Sequence, residues 1–499
     1  MNNTPERFAG QFVMVDIPGT ALDSGTAAFL RESAIRAVCL FRHNLGSEDE
    51  IRALTAALKE ILGPAGLIAI DQEGGSVIRA TSVPQAPAAM ALGAIDDADF
   101  AHAVGAAVAR GLAHLGINWN FAPVLDVNNN PNNAVIGARS FGADPKRVAV
   151  LAQAWLRGSL SAGVACCVKH FPGHGDTHVD SHLDLPRVDK SRATLEACEL
   201  LPFQALSAEA PAIMSAHIVY AAWDKEHPAT LAPTLLTGLL RDAWQYQGVV
   251  ITDALNMGAI RDFCGKDSYG EVAVTALSAG ADMVMALGDR ADQQRTLAAI
   301  SAALGTGKLD AARLAASRER LSVLAQRYPL QTVPYPTELR TADQALMDKV
   351  WRLALTCTAD AVPPAPTEHL RVVFAASAAS DGVSDPGLDD DQVRALFAGH
   401  RDQGNICFCP IENLDQLVWD SLPEPQTYTV LVSTSRSRYS ETAKDWKPDL
   451  HLVLWNPFQV LDVAAPALIS WGFADGARRA VAAWLSGKTD ALGRSPVPL

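Results

Sequence analysis

The stretch VACCVKHF (residues 164–171) shows how this chain builds its strands. It begins with an unbroken apolar run, which is typical of a strand buried on both faces, as in a parallel sheet. The run ends in two ionisable residues, Lys169 and His170. Because a buried charge is costly unless it is paired or used, this ending predicts either a paired group of the core or a polar site at the end of the strand.

Seven further runs of this kind occur, and they are separated by Ala- and Leu-rich segments with helical periodicity. Eight such strands alternating with helices over about 300 residues predict a (β/α)8 barrel, with an open doubly wound sheet as the competing arrangement. The other runs are residues 11–17, 36–41, 66–71, 117–127, 212–220, 248–254 and 282–287.

The chain of 499 residues is too long for a single hydrophobic core, so we expect a second domain. Three prolines, Pro329, Pro334 and Pro336, lie close together and favour an extended linker. Five more strand-like runs follow them and predict a smaller α/β domain with an open, mostly parallel sheet. The predicted divisions are a barrel at 1–328, a linker at 329–341 and a C-terminal domain at 342–499.

Composition narrows the possible partners and the compartment. The net charge is −14, from 41 basic and 55 acidic residues, which argues against nucleic acid or an anionic membrane as a partner. Eight cysteines are too few for a disulfide scaffold. The first residues, MNNTPERFAG, lack a basic region followed by an apolar run, so we expect no secretory signal and a cytoplasmic protein.

Ionisable residues follow at least five of the eight predicted strands. In a (β/α)8 barrel the chemistry lies at the C-terminal ends of the strands, so these side chains predict one shared active site. They are Asp71 after the third strand, Asp126 after the fourth, Lys169 and His170 in the fifth, His217 after the sixth and Asp253 in the seventh.

A row of histidines within KHFPGHGDTHVDSHLD (169–184) raises the question of a metal site, because its four histidines are four residues apart. Pro172, Gly173 and Gly175 exclude a continuous helix there, so the spacing does not bring the rings to one face. A zinc barrel of the amidohydrolase kind would also need an H-x-H motif after the first strand, where the chain has DIPG. We therefore predict no metal.

Within the same stretch, Asp180 and His182 are two residues apart. A carboxylate beside an imidazole orients the ring and raises its pKa, which suits proton transfer near neutral pH. By itself this triplet, DSH, does not specify a reaction.

Several motifs together resemble glycoside hydrolase family 3, in its β-N-acetylglucosaminidase (NagZ-like) branch. The resemblance rests on KHFPGHGDT followed by DSH, on DQEGG with Arg79 after it, and on FAPVLDVN, ARSFG, SAHI and ITDALNM. These motifs occur in the order of the family over nearly all of residues 60–260. The ending GRSPVPL resembles that of the two-domain members of the family.

The resemblance implies a retaining glycosidase that needs no metal and no organic cofactor. Asp253 would be the nucleophile that forms a covalent glycosyl-enzyme. His182 would serve as acid and base, with Asp180 holding its tautomer. The sugar-binding residues implied by the resemblance are Asp71, Arg79, Arg139, Lys169 and His170, whereas His174 would shape the loop.

The function implied is exo-hydrolysis of terminal β-linked N-acetylglucosamine, for example from GlcNAc–anhydroMurNAc peptides in peptidoglycan recycling. One alternative is a phosphorylase that passes the sugar to phosphate, and another is a β-glucosidase of broad specificity. More distant alternatives are a metal-dependent amidohydrolase and an inactive carbohydrate-binding module. The sequence does not determine the oligomeric state.

Overall fold

The eight predicted runs form eight parallel strands that close into a barrel, so the barrel prediction is confirmed over the open sheet. The protein is represented by a computed structural model that describes residues 5–177, 185–265, 268–358, 360–376, 387–400, 403–423 and 428–499. The barrel strands are β1 (Val13–Val15), β2 (Ala37–Leu40), β3 (Leu67–Ile70), β4 (Trp119–Asn120), β5 (Ala165–Phe171), β6 (Ala212–Ser215), β7 (Val249–Ala254) and β8 (Met283–Met285).

Consecutive strands pair around the barrel, and β8 pairs with β1 to close it. Strand β4 is much shorter than the predicted run of 117–127. Pro123 lacks the backbone N–H that a strand donates to its neighbour, which limits the pairing in this region. Among the described residues of this half of the chain, two pairs of short strands are not part of the barrel sheet. They are Gln72–Gly74 with Val77–Ile78, and Arg187–Val188 with Val219–Tyr220.

Helices cover the outside of the barrel and bury one apolar face each. In the helix Glu48–Leu62 the buried residues include Ile51, Leu54 and Leu58, and Ser47 and Glu50 cap its first turn reciprocally. The helices up to residue 327 are α1 (Pro5–Ala9), α2 (Ser24–Glu32), α3 (Glu48–Leu62), α4 (Ala89–Ile95), α5 (Ala98–His114), α6 (Pro145–Ser161), α7 (Arg192–Ala197), α8 (Leu201–Leu206), α9 (Gly258–Cys264), α10 (Tyr269–Ala279), α11 (Arg290–Gly305) and α12 (Ala311–Arg327), with a π-helix at Thr234–Ala243.

The second domain contains a six-stranded, mostly parallel sheet, as predicted. Its first strand, of three residues, was not predicted; it pairs antiparallel at the sheet edge. The strands are β9 (Thr356–Thr358), β10 (Leu370–Ala375), β11 (Ile406–Ile411), β12 (Tyr428–Ser433), β13 (Leu450–Val453) and β14 (Ala467–Ile469), in the order β9-β14-β13-β12-β10-β11.

A long helix joins the two parts of the chain. Helix α13 (Thr337–Ala354) begins inside the segment predicted to be an extended linker, and Pro336 stands immediately before its first turn. Proline is tolerated there because the first N–H groups of a helix have no partner within the helix. Helices α14 (Asp390–Leu396) and α15 (Asp475–Leu485) complete the second domain. The domain boundaries themselves remain predictions.

We find no helix in the described part of the chain that is both long and apolar enough to span a membrane.

Candidate active site

A cavity of about 630 Å³ opens at the carboxyl ends of the barrel strands. Asp71 directly follows β3, Lys169 and His170 lie in β5, and Asp253 lies near the end of β7. All five sugar-binding residues of the prediction line this cavity together with Asp253. Its ionisable lining residues are Asp16, Arg42, His43, Asp71, Glu73, Arg79, Arg139, Lys169, His170, His174 and Asp253.

Two cations in the cavity are held by two carboxylates. Arg139 donates from Nε and Nη2 to the two carboxylate oxygens of Glu73, both at 2.8 Å. The Nζ of Lys169 lies 2.6 Å from Glu73 Oε1 and 2.5 Å from Asp71 Oδ1. The side chains of Glu73, Arg139 and Lys169 are only 5%, 6% and 3% exposed, so water screens these ion pairs little.

These contacts determine the protonation of the site. Burial alone would raise the pKa of Glu73, but the charges of Arg139 and Lys169 outweigh it and hold that pKa well below its usual range. Burial opposes the charge on Lys169, yet Asp71 and Glu73 raise its pKa above the ordinary value. The cavity therefore contains charged, fixed donors and acceptors at neutral pH, which suits a substrate rich in hydroxyl groups.

Asp126 lies behind the cavity and holds His170. Its fully buried carboxylate lies 2.7 Å from His170 Nδ1 and accepts from the backbone N–H of His170 at 3.1 Å. This contact holds the ring by its Nδ1, and its Nε2 lies 3.4 Å from Arg139 Nη2. Asp126 thus orients the imidazole ring of His170, which lines the cavity, but Asp126 does not line the cavity itself.

Asp253, the predicted nucleophile, is half-buried at the edge of the cavity. One of its carboxylate oxygens accepts from the backbone N–H of Ala254 at 2.8 Å. His217, like Asp126, does not line the cavity. Its Nε2 lies 3.0 Å from the carbonyl oxygen of Ala254, and its Nδ1 lies 2.9 Å from Thr230 Oγ1. His217 therefore supports the end of the strand that carries Asp253.

Arg79 reaches the cavity from the chain that follows β3. Its side chain is largely buried, and among the described residues its Nε has no hydrogen-bond partner. The carbonyl oxygen of Arg79 accepts from Arg42 Nη1 at 3.0 Å, which places a second guanidinium group nearby. A buried donor without a partner is costly, so a ligand that accepts from Arg79 would stabilise it.

The loop that follows β5 is held by buried polar contacts. The backbone N–H of His174 donates to Asp126 Oδ1 at 2.6 Å, and its Nδ1 lies 2.8 Å from Thr177 Oγ1. Asn133 donates to the carbonyl oxygen of His174 at 2.7 Å. Burial lowers the pKa of His174 to about 4, so this ring is neutral near pH 7; its role in shaping the loop stays a prediction.

Asp180 and His182, the predicted acid/base pair, lie outside the described residues, so their roles stay predictions. Among the residues that are described, no three His, Cys, Asp or Glu side chains form a group suited to hold a metal ion.

Four ionisable residues of the cavity were not predicted: Asp16, Arg42, His43 and Glu73. Glu73 could have been found, because it lies within DQEGG, two residues after Asp71. Burial raises the pKa of Asp16, although hydrogen bonds from Gly288 and Gln293 oppose this shift. No pattern in the sequence singles out the other two residues.

The fold and the cavity define a (β/α)8 barrel protein with a binding site for a polar, hydroxyl-rich molecule at the ends of its strands. More specifically, the chain belongs to glycosyl hydrolase family 3, a family of glycoside hydrolases, since the model of the family's N-terminal domain matches residues 6–324. The resemblance seen in the sequence is therefore confirmed.

Similar proteins, by sequence and by structure, agree with the assignment to this family. β-Hexosaminidase A of Pseudoalteromonas piscicida is 38% identical over an alignment of 342 residues, which covers 62% of this chain and 56% of that protein. The chain thus spans little more than half of that relative. The family 3 β-N-acetylglucosaminidase of Paenibacillus sp. FPU-7 has a similar structure over 100% of this chain and 99% of its own, with a TM-score of 0.89 and 32% identity. NagZ of Neisseria gonorrhoeae covers 68% of this chain with 97% of its own, at a TM-score of 0.59 and 33% identity.

Proposed function

We propose that this chain is an exo-acting β-N-acetylhexosaminidase that removes terminal β-linked N-acetylglucosamine. The observation that carries the proposal is the cavity in which Asp253 faces the same space as Asp71, Arg79 and the Lys169–Glu73–Arg139 ion pairs. The names of the Pseudoalteromonas and Paenibacillus relatives support the choice of sugar.

The proposed reaction proceeds in two steps with net retention at the anomeric carbon. In the first step a carboxylate oxygen of Asp253 forms a bond to the anomeric carbon, while the bond to the leaving oxygen breaks and that oxygen takes a proton from His182. In the second step His182 removes a proton from water, the water oxygen attacks the anomeric carbon and Asp253 is released. Asp180 would hold the His182 tautomer that both steps require.

The remaining residues would bind the sugar in the cavity. Lys169 and Arg139 are donors with fixed positions, because Glu73 binds both of them. Asp71 would accept from ring hydroxyls, Arg79 would donate from the Nε that has no partner among the described residues, and His170 would contact the sugar through Nε2. Positioning of this kind is a large part of how enzymes accelerate reactions.

The proposed natural substrates are GlcNAc–anhydroMurNAc peptides and related muropeptide fragments, and the proposed setting is peptidoglycan recycling in the cytoplasm. The support for this setting is the resemblance to the NagZ-like branch in the residues of the barrel mouth.

Hydrolysis of 4-nitrophenyl β-N-acetylglucosaminide by the wild-type protein and by His182→Ala tests the proposal. We expect wild-type turnover and a loss of at least about a hundredfold in the variant, because general acid–base catalysis contributes that much. His227→Ala is the matched control, since His227 pairs with Asp224 at 3.1 Å but does not line the cavity. Equal activity of His182→Ala and His227→Ala would contradict the proposed dyad.

Product analysis separates the alternatives on the same fold. Nuclear magnetic resonance of the first product should show the β-anomer, whereas an α-anomer would exclude the glycosyl-Asp253 intermediate. Formation of a sugar phosphate when phosphate is added would show a phosphorylase. Equal turnover of the 4-nitrophenyl β-glucoside would show a broader β-glycosidase.

A further inference from the structure

The second domain contacts both loops that carry the buried Glu73–Arg139 ion pair. One loop contains Gly75, two residues after Glu73. The other contains Ala138, immediately before Arg139, and continues to Ala143. Residues from the second domain pack against each of these loops.

At the first loop, Gly472 of the second domain lies between Gly75 of the barrel and the ring of Trp351. A Cβ atom added to Gly472 would lie 2.7 Å from Trp351 Cη2, 3.3 Å from Trp351 Cζ3 and 3.4 Å from Gly75 Cα. Trp351 is fully buried, so its ring cannot move aside without repacking. The Gly75 turn is therefore in contact with the second domain at Gly472, where the Trp351 ring leaves no room for a methyl group.

At the second loop, the end of the chain runs beside the residues that follow Arg139. The backbone N–H of Ala143 donates to the carbonyl oxygen of Pro496 at 3.0 Å, and Arg494 N–H donates to Ala94 O at 2.9 Å. Ala138 itself belongs to a hydrophobic cluster that is formed mostly by second-domain residues, including Trp351. Both sides of the Arg139 loop thus contact residues beyond the barrel.

The ion pair between these loops has little tolerance for movement. Arg139 binds Glu73 through two parallel hydrogen bonds of 2.8 Å, a geometry that is lost when the two loops shift relative to each other. Glu73 also holds Lys169, so a shift of Glu73 would displace both cations of the sugar site. A displacement of about 1 Å in such a site can reduce the rate up to about a hundredfold.

From these contacts we infer that the second domain positions the sugar-binding cations of the barrel, with Gly472 and Pro496 as positioning residues. Gly472 acts through Gly75 on Glu73, and Pro496 acts through Ala143 on the Arg139 loop. The inference rests on the proposed function, because it assigns Arg139 and Lys169 to binding of the sugar. It gives residues beyond the barrel a part in substrate affinity without placing them in the cavity.

The first test is the pair Gly472→Ala and Gly472→Ala/Trp351→Phe, assayed on 4-nitrophenyl β-N-acetylglucosaminide. We expect KM of the single variant to rise about fivefold to tenfold, since misplacement of the sugar-binding groups weakens binding. Phenylalanine lacks the Cη2 and Cζ3 atoms that the new methyl group meets, so the double variant should recover most of the wild-type KM.

Val373→Ala is the control for a general loss of stability. Val373 is fully buried in a second hydrophobic cluster that contains only second-domain residues, on strand β10. This variant should lower Tm and leave KM unchanged. A KM for Gly472→Ala that equals the wild-type value, or that rises no more than the KM of Val373→Ala at equal loss of Tm, would overturn the inference.

Pro496→Gly is a second variant that decides the matter if Gly472→Ala does not fold. Glycine keeps the carbonyl acceptor but frees the backbone around it, so we expect KM to rise about threefold or more. Pro498→Gly, two residues further and exposed, is the matched control and should behave as wild type. Identical KM values for the two proline variants would contradict the positioning role. A wild-type protein inactive on every β-glycoside would instead refute the proposed function.

Discussion

Replacement of Glu73 by glutamine tests the buried ion pairs of the proposed sugar site. Glutamine keeps the shape of the side chain, but it has no charge and can turn only one acceptor toward Arg139 and Lys169. In the wild-type protein Glu73 receives three charge-assisted hydrogen bonds, of 2.8, 2.8 and 2.6 Å, and its side chain is 5% exposed. Breaking a buried pair by removing one partner costs about 3–5 kcal/mol, so we expect the variant to lose about that much stability.

The pH dependence of this loss has a defined sign. The pKa of Glu73 lies well below its ordinary value of 4.5 in the folded protein, so the stabilisation is complete above about pH 4.5. Below that pH the unfolded chain binds a proton that the folded protein does not. The difference in unfolding free energy between wild type and Glu73→Gln should therefore be constant from pH 7 to about pH 5 and should decrease on further acidification.

Denaturation in urea at pH 7 and at pH 4 measures this difference, together with kcat/KM at pH 7. The matched control is Glu209→Gln, because Glu209 also binds an arginine, Arg157, through two hydrogen bonds of 2.7 Å. That pair lies at the surface, with side chains 34% and 55% exposed, and should contribute at most about 1 kcal/mol. If Glu73→Gln is no more destabilised than Glu209→Gln, the assignment of Glu73 as the organiser of Arg139 and Lys169 is wrong.

Other predictions concern the remaining groups of the site. Asp253→Asn should reduce kcat at least about a thousandfold with Tm unchanged, as measured by product release and thermal unfolding. Asp126→Asn should lower kcat/KM about a hundredfold, because an amide does not impose one tautomer on His170; an unaltered pH–rate profile together with unaltered kcat/KM would refute this role. Burial lowers the pKa of His174 from 6.5 to about 4, so the wild type should lose up to about 1.4 kcal/mol per pH unit as the pH falls from 6.5 to 4, and His174→Gln should show a flatter curve in acid denaturation. Prolonged dialysis against EDTA should leave turnover unchanged, whereas a loss that zinc restores would show a metal requirement.

Much of the barrel could be predicted because its determinants are local. Each strand is a short apolar run, and each helix carries its apolar residues on one face, so both are visible within a few neighbouring residues. The antiparallel strand Thr356–Thr358 was missed because it has only three residues and directly follows helix α13. The start of that helix at Thr337 was also missed, because a proline such as Pro336 is compatible both with an extended segment and with the start of a helix.

The amino-acid sequence alone was enough to identify the residues at the ends of the strands, and these include Asp71, Lys169 and Asp253. A parallel barrel collects strand ends at one mouth, so their convergence in a single cavity follows from the fold class. The family motifs, which are contiguous in the chain, identified the same residues together with Arg79 and Arg139.

The pairing of these side chains, in contrast, is visible only in the folded protein. Glu73 and Arg139 are 66 residues apart in the chain, and Asp126 and His170 are 44 apart, so no local pattern relates them. A charge buried at a strand end takes whichever partner the neighbouring strands bring within hydrogen-bonding distance, and that choice depends on packing across the barrel. The contact of Gly472 with Gly75 is of the same kind, because it joins two domains at a point where the Trp351 ring leaves no room for a methyl group on Gly472.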